Sequence, residues 1–515
     1  MIDRRLLLGG GAGLLASAAL PAFAKRKPLV AALGFVDVRD HGAKGDGVTI
    51  DSPAIDRAIA FAASRGGGTV YFPPGTYASY TIHLMSNITL HLDRGAVLLA
   101  APVPIEGTTT GGYDPAEPQD AGIEPFQDYG HNHWRNSLIY GEGLHDIAIT
   151  GEGLIWGKGL SRGHPDPGIA RAEMPGVGNK AIALKKCRNV QLRDFSVLKG
   201  GHFALLATGV DNLTIDGLTV DTNRDGFDID CCRNVFVSNC RLNTPYDDAI
   251  CPKSSFALGY ARSTENVAIS NCHVTGAYEV GSFLDATYRP LVKSRDTWLT
   301  GRIKCGTESN GGFKNITVSN CVFEECWGLA LESCDGAVIE DVAISNITMR
   351  DCQSAPIYMV LNKRMRGPQG AAIGSIRRVL IDNLTCMNAS PYPALLTGLD
   401  GHPIEDVKIS NVFLEQAGGG DKAMAAIDPP ELETTYPDPD RYGPLPATGF
   451  FVRHARNLEM SHVEIRTRAP DARPAFWLRD VDGFDGSFLK VPAGPPAFHR
   501  DGARNFRAVV NGANV

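Results

Sequence analysis

One short pattern restarts along the chain and constrains its fold more than anything else: asparagine, a branched residue, any residue, another branched residue. It begins at Asn189, Asn212, Asn234 and Asn266, and the first two intervals are 23 and 22 residues. Repeats that short leave no room for a helix in each crossover, so a parallel β-helix, in which each coil buries its inner face against its neighbours, is the economical fold. Related starts, N-I-T-L at Asn87, D-I-A-I at Asp146, N-I-T-V at Asn315, D-V-A-I at Asp341 and D-V-K-I at Asp406, carry the pattern from Asn87 to about Ile465. The recurring asparagines are read as turn formers that bond along the stack, with no chemistry assigned to them.

A solenoid leaves a hydrophobic end that something must plug. Ser52 as cap, Pro53 in the first turn and Ile55, Ala58, Ile59 and Ala62 at helical spacing predict a short helix ended by Gly66-Gly67-Gly68, and capping the first coil is its natural role. The fold class expected is therefore all-β with one N-terminal capping helix. Residues 1–24 read as an export signal, with Arg4-Arg5, an apolar run from Leu6 to Leu20 and Ala22-Phe23-Ala24 as cleavage site; the paired arginines suggest the twin-arginine route. A single domain is expected over 25–515, in the periplasm or secreted and without membrane attachment once the signal is cut. A monomer is expected.

The chain has 515 residues, 43% of them hydrophobic, with 57 glycines and 32 prolines, which suits a large core crossed by many turns. Its net charge of −7 provides no basic field for nucleic acid, so an anionic ligand must meet a local cationic patch. Twelve cysteines lack the dense spacing of a stapled domain. Cys240, Cys272 and Cys321 recur in S-N-C and are read as an inward ladder of small buried thiols, and the vicinal Cys231-Cys232 would face opposite ways.

Thirteen residues on from the four starts stand His202, Asp225, Asp247 and Glu279. If each repeat is one coil, these form a column with neighbours roughly 4.8 Å apart. Asp248 adjoins Asp247, and Lys253 follows closely. Arg302 and Lys304, two apart on a strand, point the same way and offer two cations to a carboxylate, with Lys253 as a possible third. Asp228 and Asp230 share the strand of Asp225. Two stretches break the rhythm, Ala101 to Arg135 and Asp285 to Thr300, and are expected to wall the site, with Trp134, Tyr288 and Trp298 as weak candidates for stacking on sugar rings. A third, Gly418 to Ala447, is proline-rich and acidic.

Three blocks, N-R-D-G-F-D-I-D from Asn223, Y-D-D-A-I-C-P-K-S from Tyr246 and G-R-I-K from Gly301, resemble the N-T-D, D-D and R-I-K blocks of the polygalacturonases, glycoside hydrolase family 28. The stretch Val36 to Gly47 is similar to the start of that pectin-degrading group. The resemblance covers nearly the whole chain after the signal and implies a right-handed parallel β-helix that cleaves α-linked galacturonic acid bonds with inversion. It implies Asp247 as the acid, Asp225 and Asp248 as bases that activate water, and Arg302 and Lys304 as ligands of the sugar carboxylate. Asn223 of the first block is counted with the substrate contacts. An inverting pair needs about 6.5–9.5 Å between carboxyl groups, so side-chain directions would have to open the spacing of adjacent rungs. No cofactor or metal is implied.

One departure stands out. The family's G-H-G block reads G-A-Y-E-V-G-S here, from Gly276 to Ser282, without histidine. Tyr278, Glu279 or His202 are the residues considered in its place, and the change makes rhamnogalacturonan or a short oligosaccharide plausible substrates beside polygalacturonate. Two rival readings use the same architecture: a pectate lyase whose acids bind calcium, and a non-catalytic carbohydrate-binding solenoid.

Overall fold

The computed structural model describes residues 34–102, 112–128, 130–162, 174–290 and 299–515. The export signal expected over residues 1–24, the cleavage expected near Lys25, and Trp298 lie outside the described residues. Among these, 36 strands join into one continuous, almost wholly parallel sheet wound as a right-handed β-helix. Three strands make a coil. Lys180–Lys185, Arg188–Arg193 and Ser196–Leu198 are followed by Phe203–Thr208, Asp211–Asp216 and Thr219–Asp221, and each strand pairs in parallel with the strand three places on.

The repeat markers explain the corners. Asn189, Asn212, Asn234, Asn266 and Asn315 all have φ between 54° and 57°, a left-handed turn that asparagine tolerates better than branched residues do. Their amides form a ladder: Asn212 Nδ2 donates to Asn189 Oδ1 at 2.8 Å, Asn234 to Asn212 at 3.0 Å, Asn266 to Asn234 at 2.9 Å and Asn315 to Asn266 at 2.9 Å. The branched residues after each marker point inward; Val190, Leu213, Val235, Val267 and Ile316 stack in one buried core. The twelve cysteines are all free and buried, with Cys240, Cys272 and Cys321 in that core as expected of small apolar groups.

Helix α1 (Ser52–Ser64) covers the first coil and buries Ala54, Ile55, Ala58, Ile59 and Ala62 against it. Its N-cap is Asp51 rather than Ser52, which lies inside the first turn. The Asp51 carboxylate instead accepts from the Lys44 and Gly45 amides at 2.7 and 2.9 Å, tying the helix start to the preceding loop. No helix among the described residues is long and apolar enough to cross a membrane.

Candidate active site

The site lies on one face of the solenoid, across strands β1 (Phe203–Thr208), β2 (Asp225–Asp230), β3 (Ile250–Lys253), β4 (Ile303–Cys305) and β5 (Leu329–Ser333), which pair in that order. Alternation sends Phe227, Ile229, Ile250 and Ile303 into the core, leaving Asp228, Arg302 and Lys304 on the outer face. Gly226, within the first block, is held to glycine by packing: a Cβ there would run into the Ala249 carbonyl of the next rung.

The column inferred from the thirteen-residue count is off by one. Asp225 pairs with Phe203, and Phe227 pairs with Ile250, so Asp225 is in register with Asp248 and not with Asp247. The cause is turn length. Leu198 and Asp221 are rung partners, as are Leu205 and Phe227, yet the chain takes seven residues from Leu198 to Leu205 and only six from Asp221 to Phe227. His202 consequently neighbours Arg224, whose Nη2 lies 3.3 Å from His202 Nε2. Glu279 falls outside the column altogether, because Tyr278–Val280 leaves the coil to form a separate hairpin with Arg289–Pro290, and the coil resumes only at β4.

The acids nevertheless converge. One carboxylate oxygen from each of Asp225, Asp247 and Asp248 lies within 4.8 Å of the others. This is the approach of the nearest oxygens, to be set beside the about 6.5–9.5 Å between the carboxyl groups of a typical inverting pair. The surroundings of the three acids differ. Asp225 is buried, and burial, reinforced by the charges of Asp247 and Asp228, holds its carboxyl well above the ordinary range. Asp248 is buried too, which alone would raise it, but Lys304 and Arg302 outweigh burial and hold it ionised far below that range. Arg302 Nε donates to Asp248 Oδ1 at 2.7 Å and Lys304 Nζ grips Oδ2. Asp247 is the open member, its side chain 25% exposed and 2.9 Å from Arg224 Nη2.

The predicted cations are present but occupied. Arg302 also meets Glu332 at 3.4 Å and Asp438 at 3.9 Å, and its guanidinium lies over the Trp327 ring at 5.0 Å. Lys253 stands 3.8 Å from Asp228 and 3.9 Å from Glu308. Burial pushes the Asp228 carboxyl up to about 6 despite Lys253 and His131. Asn223 is half-buried at the rim, and its Oδ1 has no hydrogen-bond partner among the described residues.

Among the described residues, the stand-ins considered for the missing histidine bond to other groups. Tyr278 sends its hydroxyl to Glu324 at 3.3 Å, Glu279 accepts from the Tyr246 hydroxyl at 2.5 Å, and His202 turns Nδ1 to the Arg162 carbonyl at 3.0 Å. A histidine arrives from elsewhere: His131, in the first insertion, places Nε2 3.3 Å from Asp228 Oδ2 and binds Glu308 through Nδ1. The third irregular stretch also meets the site, with Tyr436 bonded to Thr307 Oγ1 at 2.8 Å and Asp438 beside Arg302. These insertions carry no repeat, so nothing in their sequence marked His131, Tyr436 or Asp438 as neighbours of the acids. Trp134 is buried and donates to Thr208 Oγ1 at 3.1 Å, so it packs the loop and is closed to a sugar. In the second insertion, Tyr288 packs on Tyr278 at 4.3 Å between ring centres and remains 37% exposed.

Comparison with known proteins points the same way. Residues 35–95 match the family model described as "Rhamnogalacturonase A/epimerase, pectate lyase-like", and residues 180–354 match "Right handed beta helix region". A Vitis vinifera protein described as a probable polygalacturonase is 24% identical over 74% of this chain and 74% of its own. The family 28 exopolygalacturonase of Yersinia enterocolitica shares the fold at a TM-score of 0.56 and 19% identity, over 93% of this chain and 79% of that one. A surface adhesin of Streptococcus pneumoniae shares it at a TM-score of 0.50 and 17% identity, over 93% of each chain, so the solenoid by itself does not entail catalysis. By its three motif blocks, its matches and its fold taken together, this chain is similar to the polygalacturonases of glycoside hydrolase family 28.

Proposed function

We propose that the protein is an exported glycoside hydrolase that cleaves α-linked galacturonic acid bonds in pectic polysaccharides or oligosaccharides. The observation that carries this reading is the convergence of Asp225, Asp247 and Asp248 with Arg302 and Lys304, from three separate coils, on one face. A purely adhesive solenoid has no need to crowd three acids within 4.8 Å of one another and to bury two of them at the energetic cost of desolvation.

The electrostatics support a division of labour. Burial and the charges of Asp247 and Asp228 hold the Asp225 carboxyl well above its ordinary range, so Asp225 keeps a proton beside Asp247. Asp247, the exposed member, delivers that proton to the leaving glycosidic oxygen. Asp248, kept ionised by Arg302 and Lys304, holds the attacking water, with Asp225 as its second acceptor once the proton has left. Net inversion follows if water attacks from the face opposite the leaving group. The tight carboxylate spacing makes the anomeric form of the first product the direct check on that step, read by proton NMR.

Loops from the first and third irregular stretches meet the site strands, which supports attack at a chain end. The R-R segment and apolar run of residues 1–24 support export to the periplasm or beyond. Incubation of the purified protein with polygalacturonate, rhamnogalacturonan and their oligomers, followed by product analysis, tests the whole reading. A lyase would instead give an unsaturated product and stop when calcium is chelated; Arg302 and Lys304 paired to Asp248 favour hydrolysis, since that carboxylate already has two cations.

A further inference from the structure

The cations expected to hold a uronate carboxylate are poorly placed to do so. The side chains of Arg302, Lys304 and Lys253 are each 4% exposed, and around them stand five carboxyl groups: Asp248, Glu332 and Asp438 about the first two, Asp228 and Glu308 about the third. Their charge is met within the protein. Arg224, which also stands among aspartates, differs in its exposure and in its unfilled donors. It replaces the threonine of the N-T-D block, its side chain is 23% exposed beside the equally open Asp247, and its Nε is buried without a hydrogen-bond partner among the described residues. Only Nη2 is engaged, with Asp247 at 2.9 Å and with His202 Nε2 at 3.3 Å, among the described residues. His202 is kept neutral there, because burial, the Arg224 charge and nearby cations hold it well below its ordinary range; it supports the guanidinium without competing for an anion.

We propose that Arg224 is the group that recognises the carboxylate of the sugar bound next to the scissile bond, a role moved from the buried Arg302 and Lys304 to the rim of the site. A guanidinium presents paired N–H donors that match a carboxylate, and a partly exposed one can exchange water for ligand without breaking a buried ion pair. Placed beside Asp247, it would bring the uronate ring against the proton donor. This rests on the hydrolase reading above and names the contact that gives it uronate selectivity.

The test compares free galacturonate with its methyl ester, as ligands by titration calorimetry and as oligomeric substrates by kcat/KM, for the wild type, Arg224→Thr and Arg224→Lys. The wild type should prefer the free acid at least tenfold. Arg224→Thr should bring the two ligands within about twofold by weakening only the free acid, while Arg224→Lys, which keeps the charge, retains part of the preference. Equal losses on acid and ester would make Arg224 a mere support for Asp247 and overturn the proposal, as would an unchanged preference in Arg224→Thr; in either case hydrolysis by the wild type leaves the broader reading standing. A wild type that neither binds nor cleaves any uronide overturns both.

Discussion

Arg302 Nε donates to Asp248 Oδ1 at 2.7 Å across 54 residues of sequence, so this buried bond, with the Lys304 contact beside it, joins the G-R-I-K and D-D blocks between adjacent rungs. A buried ion pair adds little net stability over apolar packing, but removing one partner leaves the other charge stranded. Asp248→Asn should therefore destabilise the protein by about 3–5 kcal/mol in chemical denaturation. The folded-state pKa of Asp248 lies below its unfolded value, so its contribution is present above the unfolded carboxylate range and disappears as pH falls through the folded value. Stability measured against pH should lose part of its acid limb in the variant.

The protonated Asp225 sets the opposite trend for activity. Its carboxyl is raised by burial and by its acidic neighbours, and the reaction consumes that proton, so kcat/KM should decline as pH rises through the titration of Asp225. Asp225→Asn should lower kcat by at least about 100-fold and displace that decline, as seen in pH–rate profiles.

Lys253 sits between Asp228 and Glu308, both fully buried. Lys253→Met should cost about 3–5 kcal/mol. Adding Asp228→Asn to that variant should recover part of the loss, because it removes one of the two stranded charges; a double-mutant cycle measures the coupling.

The asparagine ladder gives a prediction about the fold alone. Asn212 bonds the rungs on both sides and holds φ at 56°. Asn212→Gly should lose the two ladder bonds, about 1–3 kcal/mol, while Asn212→Ala should lose about 1–2 kcal/mol more because a Cβ without a compensating side chain resists the left-handed turn. Thermal melts of the two variants should separate in that order.

Much of this was legible in the sequence because a solenoid writes its geometry as a period. The asparagine starts marked the corners, the branched residues after them marked the core, and the carboxylate and cation blocks fell on successive coils. The register was harder: one residue more or less in a turn moves a whole strand against its neighbour, and this is why Asp225 aligns with Asp248 while His202 aligns with Arg224. The walls of the site were illegible. His131, Asp438 and Tyr436 belong to aperiodic stretches whose docking is decided by ion pairs and hydrogen bonds with Asp228, Glu308, Arg302 and Thr307, and no local pattern announces those partners.

The central claim is that the clustered aspartates hydrolyse a galacturonide bond. The most direct measurement follows galacturonate oligomers by NMR with the wild type and with Asp247→Asn at equal concentration. The wild type should release saturated sugars with new reducing ends of inverted configuration, and Asp247→Asn should be slower by about 100- to 10,000-fold. Unsaturated products, or full turnover by Asp247→Asn, would contradict the account.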